Sequence, residues 1–391
     1  MSWASRIAPI QPLACDSVMA AGIRRPDVAV ALFDTATPLA PLREEIRDAI
    51  TRVVDSGAFV LGPEVSTFER ELAAYVGAGE AIGVANGTDA ITLALRAMGV
   101  GPGDEVVVPA FTFYASAEAI PPTGARPVFC DVDPETYCVT ADTVRAALSA
   151  RTKAVIAVHL FGNLAPVSEI AQLGVPVLED AAQALGSRGP EGRPGSLGTA
   201  ATFSFFPSKN LGAFGDGGAV TTSDPDIAER VRRLRFHGSR DKQTFEEVGY
   251  NSRLDAIQAA VLRVQLPHLD RWSDGRRAAA AAYEAAGLGE LVSLPRVAGG
   301  EPAWHLYVVR TPAPDALAEA LQAQGIGARS YYRVPTHEQP GMHEFAPAQP
   351  LPGTDQAART NLALPMSPVL SAEQVDEVIG AARGHLAAVA L

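Results

Sequence analysis

Residues 154–183 read AVIAVHLFGNLAPVSEIAQLGVPVLEDAAQ, and this stretch decides the fold class. It contains an apolar run at Ala154–His159, an amphipathic run at Ser168–Leu173 and a second apolar run at Val175–Asp180. Short apolar runs predict buried strands, and the amphipathic run between them predicts a helix that covers the sheet. Two strands joined through a helix are the repeating unit of a parallel sheet, so the stretch predicts an α/β fold.

The same alternation extends outward from about Val30 to Gly289. Further apolar runs predict strands at Ala81–Ala85, Glu105–Pro109, Pro127–Asp131, Ala201–Phe206 and Gly218–Thr222. Further helical patterns lie at Asp89–Met98, Asp226–Phe236, Leu254–Trp272 and Arg276–Ala286. Together these runs predict a large domain with a mostly parallel central sheet flanked by helices.

A different pattern follows a turn region at Pro295–Pro302. It predicts, in chain order, a strand at Trp304–Arg310, a helix at Asp315–Gln324, a proline-rich stretch at Pro335–Pro352 and a final helix at Ala372–Ala388. These elements predict a smaller C-terminal α+β domain. We therefore expect an N-terminal extension over residues 1–28, a large domain over residues 29–273 and a small domain over residues 274–391. The extension shows no periodicity, and we assign it no role.

The composition excludes several classes of function. The 391 residues are 47% hydrophobic and carry a formal net charge of −12, which repels nucleic acid. No apolar run approaches the roughly 18 residues of a membrane span. Cys15, Cys130 and Cys138 show no disulfide or metal spacing, and the histidines form no H-E-x-x-H pair. We expect a cytoplasmic protein with no metal site, no membrane span and no nucleic-acid partner.

Polar residues follow several of the predicted strands. Residues 85–89, Ala-Asn-Gly-Thr-Asp, end a strand and begin a helix, and the pattern predicts either an anion site that includes Thr88 or an ordinary helix cap. Another strand ends with Glu179 and Asp180. A buried Asp180 needs a cation partner, such as a protonated pyridine nitrogen, and the alternative is that both carboxylates cap the next helix. No P-loop, dinucleotide-binding or G-x-S-x-G motif occurs, which disfavours nucleotide hydrolysis, hydride transfer and the commonest serine hydrolases.

Lys209 is the strongest candidate for a nucleophile. Of the 32 basic residues only Lys153, Lys209 and Lys242 are lysines, and arginine cannot lose its proton to become a nucleophile. Lys209 follows an aromatic strand, where an amine is costly to bury unless it is neutral or covalently used. A lysine amine attacks aldehydes, as in pyridoxal phosphate enzymes, and Ser204 is then placed to bind the cofactor phosphate. The alternative is a lysine whose amine reaches the surface.

Taken together, these segments resemble the DegT/StrS-type sugar aminotransferases, which have the aspartate-aminotransferase-like fold (fold type I). The resemblance covers the chain from about Val30 to the C-terminus. Its most specific pieces are residues 85–90, 101–106, 108–113, 179–183, 204–218 and 249–255. Several matches in the right order are far more specific than any one of them. The resemblance implies a pyridoxal phosphate-dependent transferase of fold type I with pyridoxal 5'-phosphate as cofactor.

The resemblance also implies roles for individual residues around the cofactor ring. Lys209 would hold the cofactor covalently and then carry protons between the amino-bearing carbon and the cofactor. Asp180 would keep the pyridine nitrogen protonated, and Gln183 would hydrogen-bond the phenolic oxygen. Phe113 would stack on the ring face, where relatives carry an aromatic residue. Relatives that are sugar dehydratases have His in place of the lysine, so Lys209 favours transamination.

A second group of residues is implied to hold the cofactor phosphate. Gly87, Thr88 and Ser204 would bind it from the same chain, and Asn251 would reach it from a partner subunit. The active site would then require a homodimer, in which each subunit completes the site of the other.

The resemblance implies L-glutamate as donor and a nucleotide-linked keto sugar as acceptor. The run from Lys209 to Gly218 is more similar to members that aminate carbon 3 of a 3-keto-6-deoxysugar, as in the dTDP-linked sugars. The family often has His-Tyr-Pro before Pro-x-His-x-Gln, where substrate contacts occur. Here Tyr331 replaces that His and Arg333 brings a charge suited to a diphosphate, and His337 follows. We expect these three residues to bind substrate.

Several alternatives remain. Among enzymes, they are amination at carbon 4, a UDP-linked keto sugar, or a cyclic ketone without a nucleotide, such as an aminocyclitol precursor. Outside catalysis, the alternatives are a sensor that binds pyridoxal phosphate and a scaffold that uses only the fold. The intact set of Lys209, Asp180, Gln183 and Asn251 favours the enzyme.

Overall fold

A seven-stranded sheet forms the centre of the fold in the computed structural model, which describes residues 29–389. Its strands are β1 (Glu80–Val84), β2 (Glu105–Pro109), β3 (Arg126–Cys130), β4 (Thr152–Val158), β5 (Val177–Asp180), β6 (Ala200–Ser204) and β7 (Gly218–Thr222). Across the sheet they lie in the order β1-β7-β6-β5-β4-β2-β3, and only β7 is antiparallel to its neighbours. The prediction of a mostly parallel sheet is confirmed. The predicted extension, residues 1–28, lies outside the described residues.

Two further strands pair in a small antiparallel sheet, β8 (Tyr307–Arg310) with β9 (Asn361–Leu364). The α-helices among the described residues are α1 (Arg43–Ser56), α2 (Pro63–Val76), α3 (Gly87–Ala97), α4 (Ala115–Glu118), α5 (Ala141–Ala147), α6 (Val167–Ala171), α7 (Pro225–Leu234), α8 (Ala256–Gln265), α9 (Leu269–Ala285), α10 (Pro314–Gln322), α11 (Pro352–Thr360) and α12 (Ala372–Val389). Within this part of the chain, none of the helices combines the length and apolar character needed to cross a bilayer.

The register of the large sheet aligns the carboxyl ends of its parallel strands. Val158 at the end of β4 pairs with Asp180 at the end of β5, and Asp180 pairs with Thr202 in β6. All five residues of β2 are buried, as expected for a parallel strand that is covered on both faces. In open α/β sheets, ligands bind outside the carboxyl ends of the strands. The register therefore directs the side chains that end β4, β5 and β6 toward one shared edge.

The helix predicted at Leu254–Trp272 is interrupted. A 3-10 turn at Leu266–His268 separates α8 from α9, and it contains Pro267. Proline has no N–H to donate and its ring blocks the preceding turn, so α8 cannot continue through it. The next helix, α9, runs without a break across the predicted boundary between residues 273 and 274. The domain limits themselves stay a prediction.

The C-terminal region differs from its prediction in two strands. The strand predicted at Trp304–Arg310 begins only at Tyr307, because Trp304 has a φ of 42°, which is incompatible with an extended strand. The second strand, β9, was not predicted. Its four residues are all buried and follow directly after α11, so no alternation marks it in the sequence. The core of this region includes Tyr283 of α9 stacked on Tyr307, with ring centroids 5.4 Å apart.

Candidate active site

The residues predicted to carry chemistry gather at the carboxyl edge of the large sheet. Asp180 ends β5, Ser204 ends β6 and Gly87 begins α3. Because β7 is antiparallel, its first residue, Gly218, also lies at this edge and pairs with Ser204. Lys209 follows β6 by five residues. One edge of the sheet therefore collects a carboxylate, an amine, a hydroxyl and a helix N-terminus.

Glu179 and Asp180 are neighbours in β5, but they belong to different environments. The Glu179 carboxylate accepts hydrogen bonds from Nε2 of His159 at 2.9 Å and from the backbone N–H groups of Gly195, Leu197 and Gly198 at 2.8–3.0 Å. Successive strand residues face opposite sides of the sheet, so Glu179 fixes the loop before β6 and leaves Asp180 on the other side. The role of Glu179 is therefore structural.

Asp180 is 6% exposed and has few partners. The Ser116 hydroxyl donates to its Oδ2 at 2.7 Å, and the N–H of Ala182 donates to Oδ1 at 3.2 Å. Thr112 lies 3.0 Å from the Ser116 hydroxyl and completes a short chain of hydrogen bonds. Among residues 29–389, no cationic side chain forms a salt bridge with Asp180. A buried carboxylate with this environment is suited to a cationic ring nitrogen.

Lys209 lies in a tight turn directly after β6. Its backbone N–H donates to the carbonyl of Phe206 at 2.8 Å, which closes the turn. Burial lowers the pKa of the Lys209 amine from 10.5 to about 8, although the negative charge of Asp180 acts in the opposite direction. At pH 7 about a tenth of such an amine is neutral, a far larger fraction than for an ordinary lysine. The amine is therefore prepared to act as a nucleophile.

Gly87 and Ser204 form a narrow cradle at the start of α3. A Cβ atom at Gly87 would lie only 2.8 Å from Cβ of Ser204, so only glycine allows this approach. The side chain of Asn86 caps the helix by accepting from the N–H of Asp89 at 2.8 Å. Helix N–H groups of the first turn have no partner within the helix, so those of Gly87 and Thr88 are available to an anion. The helix cap is therefore present, and the anion site stays a prediction.

Gln183 and an aromatic group lie beside Asp180. Oε1 of Gln183 accepts from the N–H of Phe161 at 2.8 Å, and its Nε2 donates to the Tyr332 hydroxyl at 3.1 Å. The Tyr332 ring lies 6.0 Å from that of Phe113, which is 53% exposed. Phe113 therefore has an open face on which a planar ring can stack.

Sequence reasoning missed Ser116 and Tyr332. Ser116 is four residues after Thr112, in the short helix α4 that follows segment 108–113, and this spacing was the available signal. Tyr332 lies between Tyr331 and Arg333, which were predicted to bind substrate. Its contact with Gln183 forms only after folding, because the two residues are 149 positions apart in the chain.

Asn251 lies on the surface, next to the start of α3. Its neighbour Ser252 accepts a hydrogen bond from the N–H of Ala85 at 3.1 Å, which ties this segment to the end of β1. The Asn251 side chain is exposed and makes no hydrogen bond within the described part of the chain. Its role in a partner subunit stays a prediction.

The three residues predicted to bind substrate are not gathered at one point. Tyr331 lies beside Tyr332, with ring centroids 5.7 Å apart. Arg333 forms a salt bridge with Asp315 of α10 and donates to the carbonyl of Arg359 at 3.4 Å. These contacts must break before Arg333 can bind a diphosphate.

His337 lies in a separate surface hollow, which it lines with Asp355 and others. Its ring is 5.8 Å from Phe129, its Nδ1 has no partner among the described residues, and burial lowers its pKa. The substrate-binding roles of Tyr331, Arg333 and His337 stay predictions.

These groups match the needs of pyridoxal phosphate. Asp180 offers a buried negative charge for a ring nitrogen, the Gly87–Ser204 cradle offers a phosphate site and Phe113 offers an open aromatic face. Lys209 offers an amine of lowered pKa for the aldehyde. The fold and the site together define a lysine-dependent pyridoxal phosphate enzyme of fold type I.

The comparisons with known proteins specify the family. Residues 41–383 match the model of the DegT/DnrJ/EryC1/StrS aminotransferase family, and the chain belongs to that family. It is 46% identical to the dTDP-3-amino-3,4,6-trideoxy-alpha-D-glucose transaminase of Streptomyces venezuelae, over 90% of this chain and 95% of the relative. It is 45% identical to a protein of Geobacillus stearothermophilus named as a pleiotropic regulatory protein, over 90% of this chain and 96% of the relative.

A solved structure agrees with the fold. The S. venezuelae protein DesV superposes with a TM-score of 0.88 at 45% identity, over 91% of this chain and 98% of DesV. The predicted family, its fold type, the aminotransferase activity and pyridoxal phosphate as cofactor are thereby confirmed.

Proposed function

We propose that this aminotransferase moves an amino group from L-glutamate to carbon 3 of a nucleoside-diphosphate-linked keto-6-deoxysugar. The observation that carries the proposal is Lys209, a partly buried amine of lowered pKa at the sheet edge that also holds Asp180. The S. venezuelae relative, whose name specifies a dTDP-linked 3-amino sugar, supports both the sugar nucleotide and carbon 3. The reaction is ping-pong, because donor and acceptor use the same amine carrier in turn.

When bound, the cofactor supplies an aldehyde that accepts amino groups and a ring that withdraws electrons from the adjacent carbon. The residues of this chain hold the cofactor and move protons. Asp180 would place its negative charge beside the ring nitrogen, and the Ser116 hydroxyl keeps Asp180 oriented by donating to its Oδ2. Gln183, whose Oε1 is held by the N–H of Phe161, would donate its remaining amide hydrogen to the phenolic oxygen. The Lys209 amine, when free, would take a proton from the amino-bearing carbon of the donor and return it to the cofactor carbon that then carries the amino group.

The proposed homodimer is supported by apolar side chains on the surface. Phe59, Val60 and Phe214 are 46%, 55% and 52% exposed. Phe59 and Phe214 both lie at the start of α8. The carbonyl of Phe59 accepts a hydrogen bond from the N–H of Ala256, and the N–H of Phe214 donates to Oε1 of Gln258. Exposed apolar patches of this kind mark interaction surfaces, and a second copy of the chain is the occupant we propose.

We also propose that the protein works in the cytoplasm, where its buried Cys130 and Cys138 remain thiols.

A complementation experiment tests the shared site. Homodimers of Lys209→Ala and of Asn251→Ala are each expected to have little activity. Mixing the two variants should form mixed dimers in which one of the two active sites carries both intact residues. We expect the mixture to recover about a quarter of wild-type activity, the random share of active sites. A mixture no more active than its parents contradicts a shared site.

A panel of acceptors tests the sugar. The pyridoxamine-loaded protein is mixed with 3-keto and 4-keto sugar nucleotides carrying dTDP or UDP, and with a cyclic ketone that has no nucleotide. Return of the cofactor to its aldehyde form with the 3-keto dTDP sugar alone supports the proposal. Preference for a 4-keto, UDP-linked or nucleotide-free ketone replaces it with the corresponding alternative.

The sensor is a second candidate, favoured by the name of the G. stearothermophilus relative. A sensor binds pyridoxal phosphate but leaves it unchanged in the presence of every amino donor and every acceptor. Multiple turnovers of glutamate with any acceptor in the panel exclude a sensor that leaves its cofactor unchanged.

A further inference from the structure

Asn361 is a fully buried amide at the point where α11 ends and β9 begins. Its Nδ2 donates to the carbonyls of Ala357 and Ala358, in the last turn of α11, at 2.8 and 3.2 Å. Its Oδ1 accepts from the backbone N–H of Tyr331. Both amide hydrogens and the amide oxygen therefore have backbone partners, and the Asn361 side chain joins α11 to the residue that precedes Tyr332.

The segment around Tyr332 is attached to β9 on one side only. We call residues 329–333 the Tyr332 segment. Arg329 and Ala363 exchange two backbone hydrogen bonds of 3.2 and 2.8 Å, and the Ser330 hydroxyl donates to the carbonyl of Asn361 at 2.8 Å. Tyr332 itself has no backbone hydrogen bond within residues 29–389. The bond to the Asn361 side chain is therefore the last one that fixes the backbone before Tyr332.

Tyr332 carries this attachment to the cofactor site. Its hydroxyl accepts from Nε2 of Gln183 at 3.1 Å, while Oε1 of Gln183 accepts from the N–H of Phe161 at 2.8 Å. Its ring lies nearly parallel to that of Phe161, with centroids 6.3 Å apart. Burial raises the pKa of Tyr332, so its hydroxyl stays neutral and can accept from Gln183. The Gln183 amide is thus held at both of its polar atoms.

We propose that Asn361 is a positioning residue of the cofactor site, which acts through Tyr332 to orient the amide of Gln183. An amide held only at Oε1 can turn about that single hydrogen bond, whereas a second partner at Nε2 fixes its plane. The amide hydrogen that remains free then has one direction, which the proposed function assigns to the phenolic oxygen. The inference rests on that function, and it adds the residue on which this orientation depends.

The consequence is a change in the pH at which the lysine-bound cofactor loses its proton. A hydrogen bond from Gln183 stabilises negative charge on the phenolic oxygen and makes that oxygen less basic. When Gln183 is no longer oriented, the oxygen holds the nearby proton more firmly, and the midpoint of the titration rises. The loss of one neutral hydrogen bond corresponds to a rise of about half a pH unit or more.

The test is a pH titration of the cofactor-loaded protein, followed by absorbance. It compares wild type, Asn361→Leu and the matched control Leu362→Ala. Leucine has nearly the size of asparagine but makes no hydrogen bond. Leu362 is the next residue of β9 and is fully buried in the core that contains Tyr283, so Leu362→Ala weakens the same strand and leaves the bonds of Asn361 in place.

We expect Asn361→Leu to raise the midpoint by about half a pH unit or more. Leu362→Ala should unfold at a lower urea concentration than wild type and keep the wild-type midpoint. A wild-type midpoint in Asn361→Leu, or an equal rise in both variants, means that Asn361 only stabilises the fold, and it overturns the inference.

A double-mutant cycle tests the path through Tyr332. Tyr332→Phe keeps the ring and removes the hydroxyl, so it should raise the midpoint in the same direction. If Asn361 acts through that hydroxyl, the double variant Asn361→Leu/Tyr332→Phe shifts no further than Tyr332→Phe alone. Additive shifts overturn the inference. A wild-type midpoint in Tyr332→Phe also overturns it, and this measurement holds even if Asn361→Leu does not fold.

The response to L-glutamate separates this inference from the proposed function. If glutamate converts the cofactor in wild type but Asn361→Leu keeps the wild-type midpoint, only the positioning role fails. If no amino donor changes the wild-type spectrum, the proposed function fails, and the pH titration of the lysine-bound cofactor still tests the role of Asn361.

Discussion

Replacing Gly87 with alanine tests the phosphate cradle, because it adds one methyl group at the closest approach in the site. The new Cβ would lie 2.8 Å from Cβ and 3.4 Å from Oγ of Ser204. Gly87 has no left-handed backbone angle, so the substitution strains packing alone. Overpacking of this size costs about 1–3 kcal/mol, and the site relieves it by moving Ser204 away from the phosphate. We therefore expect Gly87→Ala to weaken cofactor binding about 10- to 100-fold.

The assay is a titration of the cofactor-free protein with pyridoxal phosphate, followed by absorbance. Gly101→Ala is the matched control, since a Cβ there meets no atom within 4 Å. The control should bind the cofactor as wild type does, and a Ser204→Ala change in the Gly87→Ala background should restore little, because the Cβ–Cβ contact persists. If Gly87→Ala binds as tightly as Gly101→Ala, the phosphate does not lie in this cradle.

Four other predictions concern the ring site and its support. Asp180→Asn removes the buried charge that is expected beside the ring nitrogen. Single-turnover absorbance measurements should then show a glutamate half-reaction that is about 100-fold slower or more, and an unchanged rate would place the nitrogen elsewhere. The rate at which cofactor-free protein captures pyridoxal phosphate should rise with pH around the Lys209 pKa of about 8, and a midpoint near 10.5 would show an ordinary lysine. Since the unfolded state holds its proton up to a higher pH, this lysine also makes folding more favourable as pH rises from about 8 to 10.5, measurable by urea unfolding. Glu179→Gln places an amide NH2 against N–H donors and should lower the free energy of unfolding by about 3 kcal/mol; a loss below about 1 kcal/mol would mean that the loop before β6 adapts.

The sequence predicts those parts of the fold that depend on local pattern. The strands at Glu105–Pro109 and Gly218–Thr222 have the predicted limits, and the other strands of the large sheet shift by one or two residues at their ends. Their runs are mainly apolar because both faces of the sheet are covered. The helices α1 and α2 were not predicted, although both carry apolar positions at helical spacing. The strand β9 has no local signal, because its four buried residues pair with a strand more than fifty positions earlier.

The candidate site divides in the same way. A polar side chain that ends or follows an apolar run is conspicuous in a sequence. For this reason the sequence reveals Asp180, Gln183 and Lys209. Ser116 and Tyr332 act through contacts made only after folding, at separations of 64 and 149 residues.

Two adjacent arginines of α9 are a further example. Arg276 and Arg277 are identical in sequence terms, but the fold gives Arg277 two carboxylates, while Arg276 has none among residues 29–389. Unsatisfied capacity in a buried group is a property of the assembled structure, so sequence pattern does not reveal it.

The most direct test of the account is the absorbance spectrum of the purified protein with pyridoxal phosphate, before and after addition of L-glutamate. We expect a visible band from the lysine-bound cofactor that glutamate bleaches to the pyridoxamine form, and no such band in Lys209→Ala. A band that glutamate leaves unchanged would point to another donor or to a sensor. The same band in wild type and in Lys209→Ala would contradict the central claim that Lys209 is the amine of the active site.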